Sequence, residues 1–227
     1  GRKPGLLYPT KTFTDQIEFE AAGHKVKLFH APGETNDQLF VWLPEKKVLF
    51  PGDNFYKTFP NLYTIRGTPY RDLVGWVNSI DMMRYLEPEY LVPSHTRPIV
   101  GKENINTLLT TYRDAIQFVH DQTVRLMNLG LDPNEIAERL VLPKHLGDSP
   151  YLKEFYGTPE WSAKNVFSGY LGWFDGNPSS LKPLPLKDEA EKIIQLSGDW
   201  NSLFKVAEDA FLVSDFQWSL QLTDYLL

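Results

Sequence analysis

Val26-Lys27-Leu28-Phe29-His30-Ala31-Pro32-Gly33-Glu34-Thr35-Asn36-Asp37 runs from an apolar strand into a Pro-Gly turn, and that turn presents Glu34 at the strand's C-terminal end. Functional side chains concentrate on loops held by such scaffolds. The same grammar recurs twice. Leu49-Phe50-Pro51-Gly52-Asp53-Asn54 is an apolar strand that breaks at a glycine into an aspartate, and Leu91-Val92-Pro93-Ser94-His95 is a short strand that ends in a histidine. Three strand ends thus deliver two carboxylates and an imidazole, hard-to-borderline ligands suited to Zn²⁺, Mn²⁺ or Fe. Taken singly, each has an ordinary explanation: Asp after Gly forms turns, and a loop His forms hydrogen bonds. His30, which closes its strand, reads as structural rather than as an extra ligand.

Around these ends the first half reads as strands at 17–22, 26–30, 39–43 and 48–50, separated by Pro, Gly, Asn and Asp. A helix is expected over about 71–86 and a strand over 90–92, so the order is that of a layered α/β domain. From residue 103 the period changes. Ile105, Leu108, Leu109, Tyr112, Ile116, Val119, Thr123, Leu126 and Met127 recur at spacings of three and four, which predicts one long amphipathic helix ending at Gly130. Asp132-Pro133-Asn134-Glu135 then offers an N-cap, a proline at the first helical position and a capping-box acid. Residues 143–187, rich in Pro, Gly, Ser and aromatics, read as a long irregular connection. Helical patches at 188–197, 200–213 and 216–227 suggest paired antiparallel helices. The aromatics of the irregular stretch read as anchors for it or for a partner subunit rather than as a substrate pocket, and His120 reads as a packing residue of the long helix.

Composition narrows the field. With 227 residues, 42% of them hydrophobic, the chain can bury a real core in one large domain or two small ones. A net charge of −6 without clustered Lys or Arg excludes a nucleic-acid surface. No apolar run approaches the length of a membrane span, and Gly1-Arg2-Lys3-Pro4-Gly5 has no hydrophobic signal core behind it. The absence of cysteine removes disulfides, thiolate metal sites and cysteine nucleophiles, and leaves the compartment open; a periplasmic or secreted setting is favoured over a cytoplasmic one. Neither a Gly-x-Ser-x-Gly elbow nor a Gly-x-x-x-x-Gly-Lys loop occurs, which argues against serine-hydrolase and nucleotide-binding functions.

In this order the three strand ends resemble the second half of the metallo-β-lactamase superfamily pattern, with Glu34 standing where most members carry His. That substitution is a mark of the alkyl sulfatase branch, and further strings are similar to it. Asn61-Leu62-Tyr63-Thr64-Ile65-Arg66-Gly67 resembles the branch's sulfate-binding segment. Gly101-Lys102-Glu103-Asn104-Ile105, the run from Val119 to Asn128, and Tyr170-Leu171-Gly172-Trp173-Phe174-Asp175-Gly176-Asn177-Pro178 resemble its helical dimerisation domain. The resemblance covers nearly the whole chain. It implies an α+β fold, with part of an αββα sandwich over 1–102 and an all-α, helical-repeat-like dimerisation domain over 103–227. It also implies that Glu34 ligates a first metal, Asp53 bridges two and His95 ligates the second, with Asn61 and Arg66 holding sulfate. Zinc is the expected cofactor, two ions in the complete site, and other divalent metals are compatible. The implied substrate is a small alkyl sulfate ester, and the implied assembly a homodimer. One departure is Asp53, since the branch usually bridges with Glu; the shorter side chain puts intermetal distance and metal identity in question.

The superfamily's His-x-His-x-Asp-His run is absent: the histidines are His24, His30, His95, His120 and His145, and no two lie two residues apart. Three ligand positions are too few to fix two ions and a hydroxide between them. The chain alone is therefore expected to be inactive, to need a complementing N-terminal chain or fragment, and to expose an apolar sheet face. Two other readings stand beside this one. The fold could serve a lactone, phosphoester or thioester, against which Asn61 and Arg66 argue, or the chain could be a non-catalytic dimerisation scaffold.

Overall fold

Two residues with positive φ, Ala22 at 51° and Gly23 at 76°, turn β1 (Gln16–Ala21) back onto β2 (His24–His30). Positive φ at both central positions matches the twist of an antiparallel hairpin. The structure, a computed structural model, describes residue 5 and residues 7–227; the signal-core reading of the first residues falls largely outside them. β3 (Leu39–Leu43) pairs antiparallel with β2, and a turn over 44–47 returns the chain as β4 (Val48–Phe50). The chain then crosses through α1 (Leu73–Tyr85) to β5 (Tyr90–Leu91), parallel to β4, and β6 (Ile99–Val100) adds an antiparallel edge. The six strands lie in sequence order in one mixed sheet.

The period of two sorts the side chains. Phe40, Trp42, Leu49 and Leu91 point to one face and are buried in a core shared with Leu73, Trp76, Ile80 and Met83 of α1. Ile17, Leu28, Val41 and Phe50 stand in register across four strands on the opposite face, and each is only half-buried. This apolar row is the sheet face the half-sandwich reading anticipates.

α2 (Lys102–Met127) begins after Gly101, whose φ is 98°, and buries Ile105, Leu108, Leu109, Tyr112, Ile116, Val119, Thr123 and Leu126, the stripe expected from spacing. α3 (Pro133–Arg139) opens with the expected capping box: Asp132 Oδ1 accepts from Asn134 N at 2.7 Å and Glu135 N at 2.9 Å, while Glu135 Oε2 accepts from Asp132 N at 3.1 Å. A short α4 (Lys144–Gly147) follows.

The irregular connection expected over 143–187 is not irregular throughout, because α5 (Pro159–Leu171) lies within it. Its proline sits at the first helical turn, where the missing N–H is no loss, and the Thr158 hydroxyl accepts from Trp161 N at 3.1 Å. Proline density was thus a start signal here, not a breaker. Ala163, Val166 and Phe167 dock α5 into the same core as the sheet and α2.

Compactness divides the chain after Trp173. The second unit, from Phe174 onward, contains α6 (Leu186–Ser197), α7 (Trp200–Leu212) and α8 (Phe216–Asp224). Its small core consists of Leu203, Ala207 and Leu222, flanked by Ile193, Ile194, Tyr225 and Leu226. Trp200, Phe204, Phe211, Phe216 and Trp218 remain substantially exposed. Among the described residues no helix is long and apolar enough to cross a membrane.

Candidate metal and anion site

Gly33 lies so close to Asn54 that a Cβ there would sit 2.7 Å from the Asn54 side-chain carbon, so only glycine fits. Asn54 is fully buried and ties two strand ends together. Its Nδ2 donates to Ala31 O at 2.7 Å, and its Oδ1 accepts from Glu34 N at 3.2 Å. The Trp76 indole donates to Asn54 O at 3.1 Å and the Ser79 hydroxyl to Pro32 O at 2.7 Å, so α1 braces both turns. His30 Nε2 donates to Asn36 O at 2.7 Å, the structural role expected of it.

Two of the three strand-end residues meet, and the third, Glu34, lies within their electrostatic reach. His95 Nε2 lies 3.4 Å from Asp53 Oδ1, and that carboxylate oxygen is buried and accepts no hydrogen bond among the described residues. Glu34 is largely buried, with Oε1 3.3 Å from Arg71 Nη1. Burial raises the Glu34 pKa above the usual carboxylate range; Arg71 opposes the rise, the Asp53 charge adds to it and His95 opposes it. Two carboxylates, an imidazole and a guanidinium therefore share one electrostatic neighbourhood.

Asn61 is linked to that neighbourhood through Arg71, whose Nη1 also donates to Asn61 O. The Asn61 amide N–H donates to the Tyr56 hydroxyl at 2.6 Å, and burial holds the Tyr56 phenol well above its ordinary pKa. Arg66 is placed differently. It is exposed, donates to the Tyr156 hydroxyl, and lies 5.9 Å from that ring's centroid.

A divalent cation is implied by this fold, and its fit can be judged from the donors. Asp53 and His95 suit one as two of its ligands: a bare carboxylate oxygen faces an imidazole nitrogen at a strand end. Among the described residues, however, no group of three His, Cys, Asp or Glu side chains converges tightly enough to hold an ion. By themselves these residues do not enclose an ion.

Asn54 and Arg71 were not singled out in the sequence. Asn54 carried no signal beyond following Asp53. Arg71 did carry one, since it immediately precedes the α1 N-cap Asp72, and a cation there opposes the helix dipole. A basic residue at a disfavoured position points to a specific partner, here Glu34. His120 is a bracing residue: its ring nitrogens lie 2.8 Å from Asp121 Oδ1 and 2.8 Å from the Tyr170 hydroxyl, which joins α2 to α5.

A mixed sheet backed by helices, with carboxylate and imidazole side chains gathered at its strand ends, is the arrangement of the metallo-β-lactamase superfamily, whose family model matches residues 4–95. The model for alkyl sulfatase dimerisation matches residues 132–227. The chain is 42% identical over 224 residues to a linear primary-alkylsulfatase of Pseudomonas sp., covering 98% of this chain and 42% of that protein. It is 33% identical to an alkyl/aryl-sulfatase of Saccharomyces cerevisiae, covering 98% of this chain and 35% of that one. Among solved structures, the stereoselective inverting sec-alkylsulfatase Pisa1 from Pseudomonas sp. superimposes with a TM-score of 0.89 at 28% identity, over 95% of this chain and 35% of its own. The chain belongs to the alkyl sulfatase branch of the metallo-β-lactamase superfamily, a superfamily of divalent-metal-binding proteins, and it spans less than half the length of these relatives.

Proposed function

We propose that this chain supplies part of the active centre of a metal-dependent hydrolase of alkyl sulfate esters. The observation that carries the proposal is the bare Asp53 Oδ1 beside His95 Nε2, 3.4 Å away, with Glu34 in the same electrostatic field. Glu34 would ligate one ion, Asp53 both and His95 the second, with zinc the leading candidate and two ions in the complete site. When bound, the metals supply Lewis-acid stabilisation of developing negative charge and an activated water. Arg71 holds the Glu34 carboxylate in place, while Asn61 and Arg66 bind and orient the sulfate group through charge-assisted hydrogen bonds. A cleft of about 550 Å³ beside the same loop, lined by Tyr63, Ile65, Tyr70, Trp161 and Lys164 among others, offers an apolar surface for the alkyl chain.

The remaining ligands would come from residues outside this sequence, in the same polypeptide or in a complementing one, whose sheet would also cover the half-buried row of Ile17, Leu28, Val41 and Phe50. Residues 1–102 would belong to the catalytic domain and 103–227 to a helical domain that pairs two copies into a homodimer.

The test is reconstitution. This chain is mixed with a polypeptide bearing the His-x-His-x-Asp-His portion of a relative, its zinc content is measured, and octyl sulfate hydrolysis is followed by sulfate release. About two zinc ions per assembled site and turnover that Asp53→Ala abolishes are expected. Assembly with zinc but hydrolysis only of a lactone or phosphoester would overturn the sulfatase assignment. Assembly without metal would leave a scaffold.

A further inference from the structure

Loops ordinarily run over the surface, because their backbone polar groups need water. The loop that follows Asn54 does not: Phe59, Pro60, Asn61, Leu62 and Thr64 are all buried. What covers it is a later stretch of the chain, residues 153–165, which leads into α5 and forms its first turns. Lys153 O accepts from Phe59 N at 2.9 Å and from the Thr58 hydroxyl, and that hydroxyl accepts in turn from Phe155 N at 3.4 Å. Arg66 donates to the Tyr156 hydroxyl. Gly157 lies directly on the loop's main chain: a Cβ there would sit 2.4 Å from Pro60 O and 3.0 Å from Asn61 Cα. Asn165, buried on α5, donates through Nδ2 to Leu62 O at 3.1 Å. A buried carbonyl without a donor is costly, so the Asn165 amide offsets the burial of Leu62.

These contacts come from the part of the chain that matches the dimerisation model, residues 132–227. Compactness, however, divides the chain only after Trp173, and Ala163, Val166 and Phe167 of α5 share the core of the sheet and α2. We propose that residues 153–165 are a positioning clamp for the loop, with Gly157 and Asn165 as its positioning residues. This portion of the helical region then serves the catalytic centre and not dimerisation alone. The proposal rests on the alkyl sulfatase reading for what the loop does, and adds what holds it. Gly157 lets the two main chains approach, and Asn165 pins the carbonyl one residue beyond Asn61.

The experiment follows backbone amide hydrogen exchange in ¹H–¹⁵N spectra of this chain and of two variants. Asn165→Asp is isosteric but presents an acceptor to Leu62 O, and Gly157→Ala pushes the two main chains apart. In both, the Phe59 and Asn61 amides, bonded to Lys153 O and the Tyr56 hydroxyl, should exchange about tenfold faster. Amides of α1 should keep their rates, and sedimentation should show an unchanged oligomeric state. In the assembly reconstituted with the missing ligands and zinc, Asn165→Asp should raise KM for octyl sulfate about tenfold, with kcat and zinc content unchanged. A mere loss of folded protein would lower kcat and leave KM. Should either variant misfold, Asn165→Ala, which admits a water, takes its place. Loop amides that exchange at the parental rate would overturn the clamp. So would a lowered kcat at constant KM, or a changed oligomeric state with the loop undisturbed. Loop amides that respond as expected, in a protein whose unmutated assembly hydrolyses no alkyl sulfate, would sink the functional reading and leave the clamp standing.

Discussion

Asn54→Ala removes the clamp between the Glu34 turn and the Asp53 turn, and its cost can be worked from the geometry. Two hydrogen bonds disappear: Nδ2 to Ala31 O at 2.7 Å and Glu34 N to Oδ1 at 3.2 Å. Each leaves a backbone group without its partner, at about 1–3 kcal/mol apiece. The sum is roughly 2–6 kcal/mol, and water entering the space the side chain leaves should bring it to about 2–4 kcal/mol. That is a large share of the ~5–15 kcal/mol that holds a typical domain together. The Trp76 bond survives, since it is to the Asn54 main chain. Gly33→Ala attacks the same contact from the other side, because its Cβ would lie 2.7 Å from the Asn54 side-chain carbon, an overpacking of about 1–3 kcal/mol. With Asn54 already shortened to Ala, the obstacle is gone. The two penalties should therefore not add, with a coupling of about 1–2 kcal/mol. Urea unfolding of both single variants and the double variant, followed by tryptophan fluorescence, measures the cycle. An Asn54→Ala cost below about 0.5 kcal/mol, or strict additivity, would refute the clamp.

Three further outcomes are expected. Asp132→Ala should lower stability by about 1 kcal/mol while Asp132→Asn costs less, as read by thermal unfolding, because the carboxylate satisfies two N–H groups of α3; equal melting of all three chains would contradict that. Leu203→Ala should destabilise the second unit by about 2–5 kcal/mol, since its core is so small; limited proteolysis should cut it first beyond residue 173, and first cleavage within the sheet would argue otherwise. Tyr70 has its pKa raised from 10.0 to about 12, by burial first and then by Tyr170 and the Asp72 charge. The unfolded chain releases this proton at lower pH than the folded one, so its contribution to stability is intact below pH 10 and is lost between 10 and about 12. Absorbance titration at about 295 nm, with Tyr70→Phe as the difference, checks it; a Tyr70 ionising near its ordinary value would contradict the burial.

Much of this was legible in the linear chain because it is locally encoded. β3 and β4 fall at 39–43 and 48–50 as their short continuous apolar runs and flanking turn formers require. The α2 stripe follows from side-chain period, and the α3 start from a four-residue capping motif. α5 is hidden within a proline-rich run whose composition resembles a loop, and β6, two residues long, has no pattern to detect.

Glu34, Asp53 and His95 were each legible as the residue on which a strand ends, since a turn after an apolar strand presents whatever follows it. That Asp53 and His95 face each other at 3.4 Å was not, because it depends on α1 carrying the chain over to a parallel β5 beside β4. The sequence alone determined the kinds of ligand, the elements and the family resemblance, which all reside in local order and spacing. Tertiary structure alone decided that Asn54 clamps two turns, that Arg71 rather than Arg66 is buried against Glu34, and that Asn61, Thr64 and Arg71 keep free donors in the interior. Burial and pairing between residues far apart in the chain are properties of packing, and no window of neighbouring residues contains them.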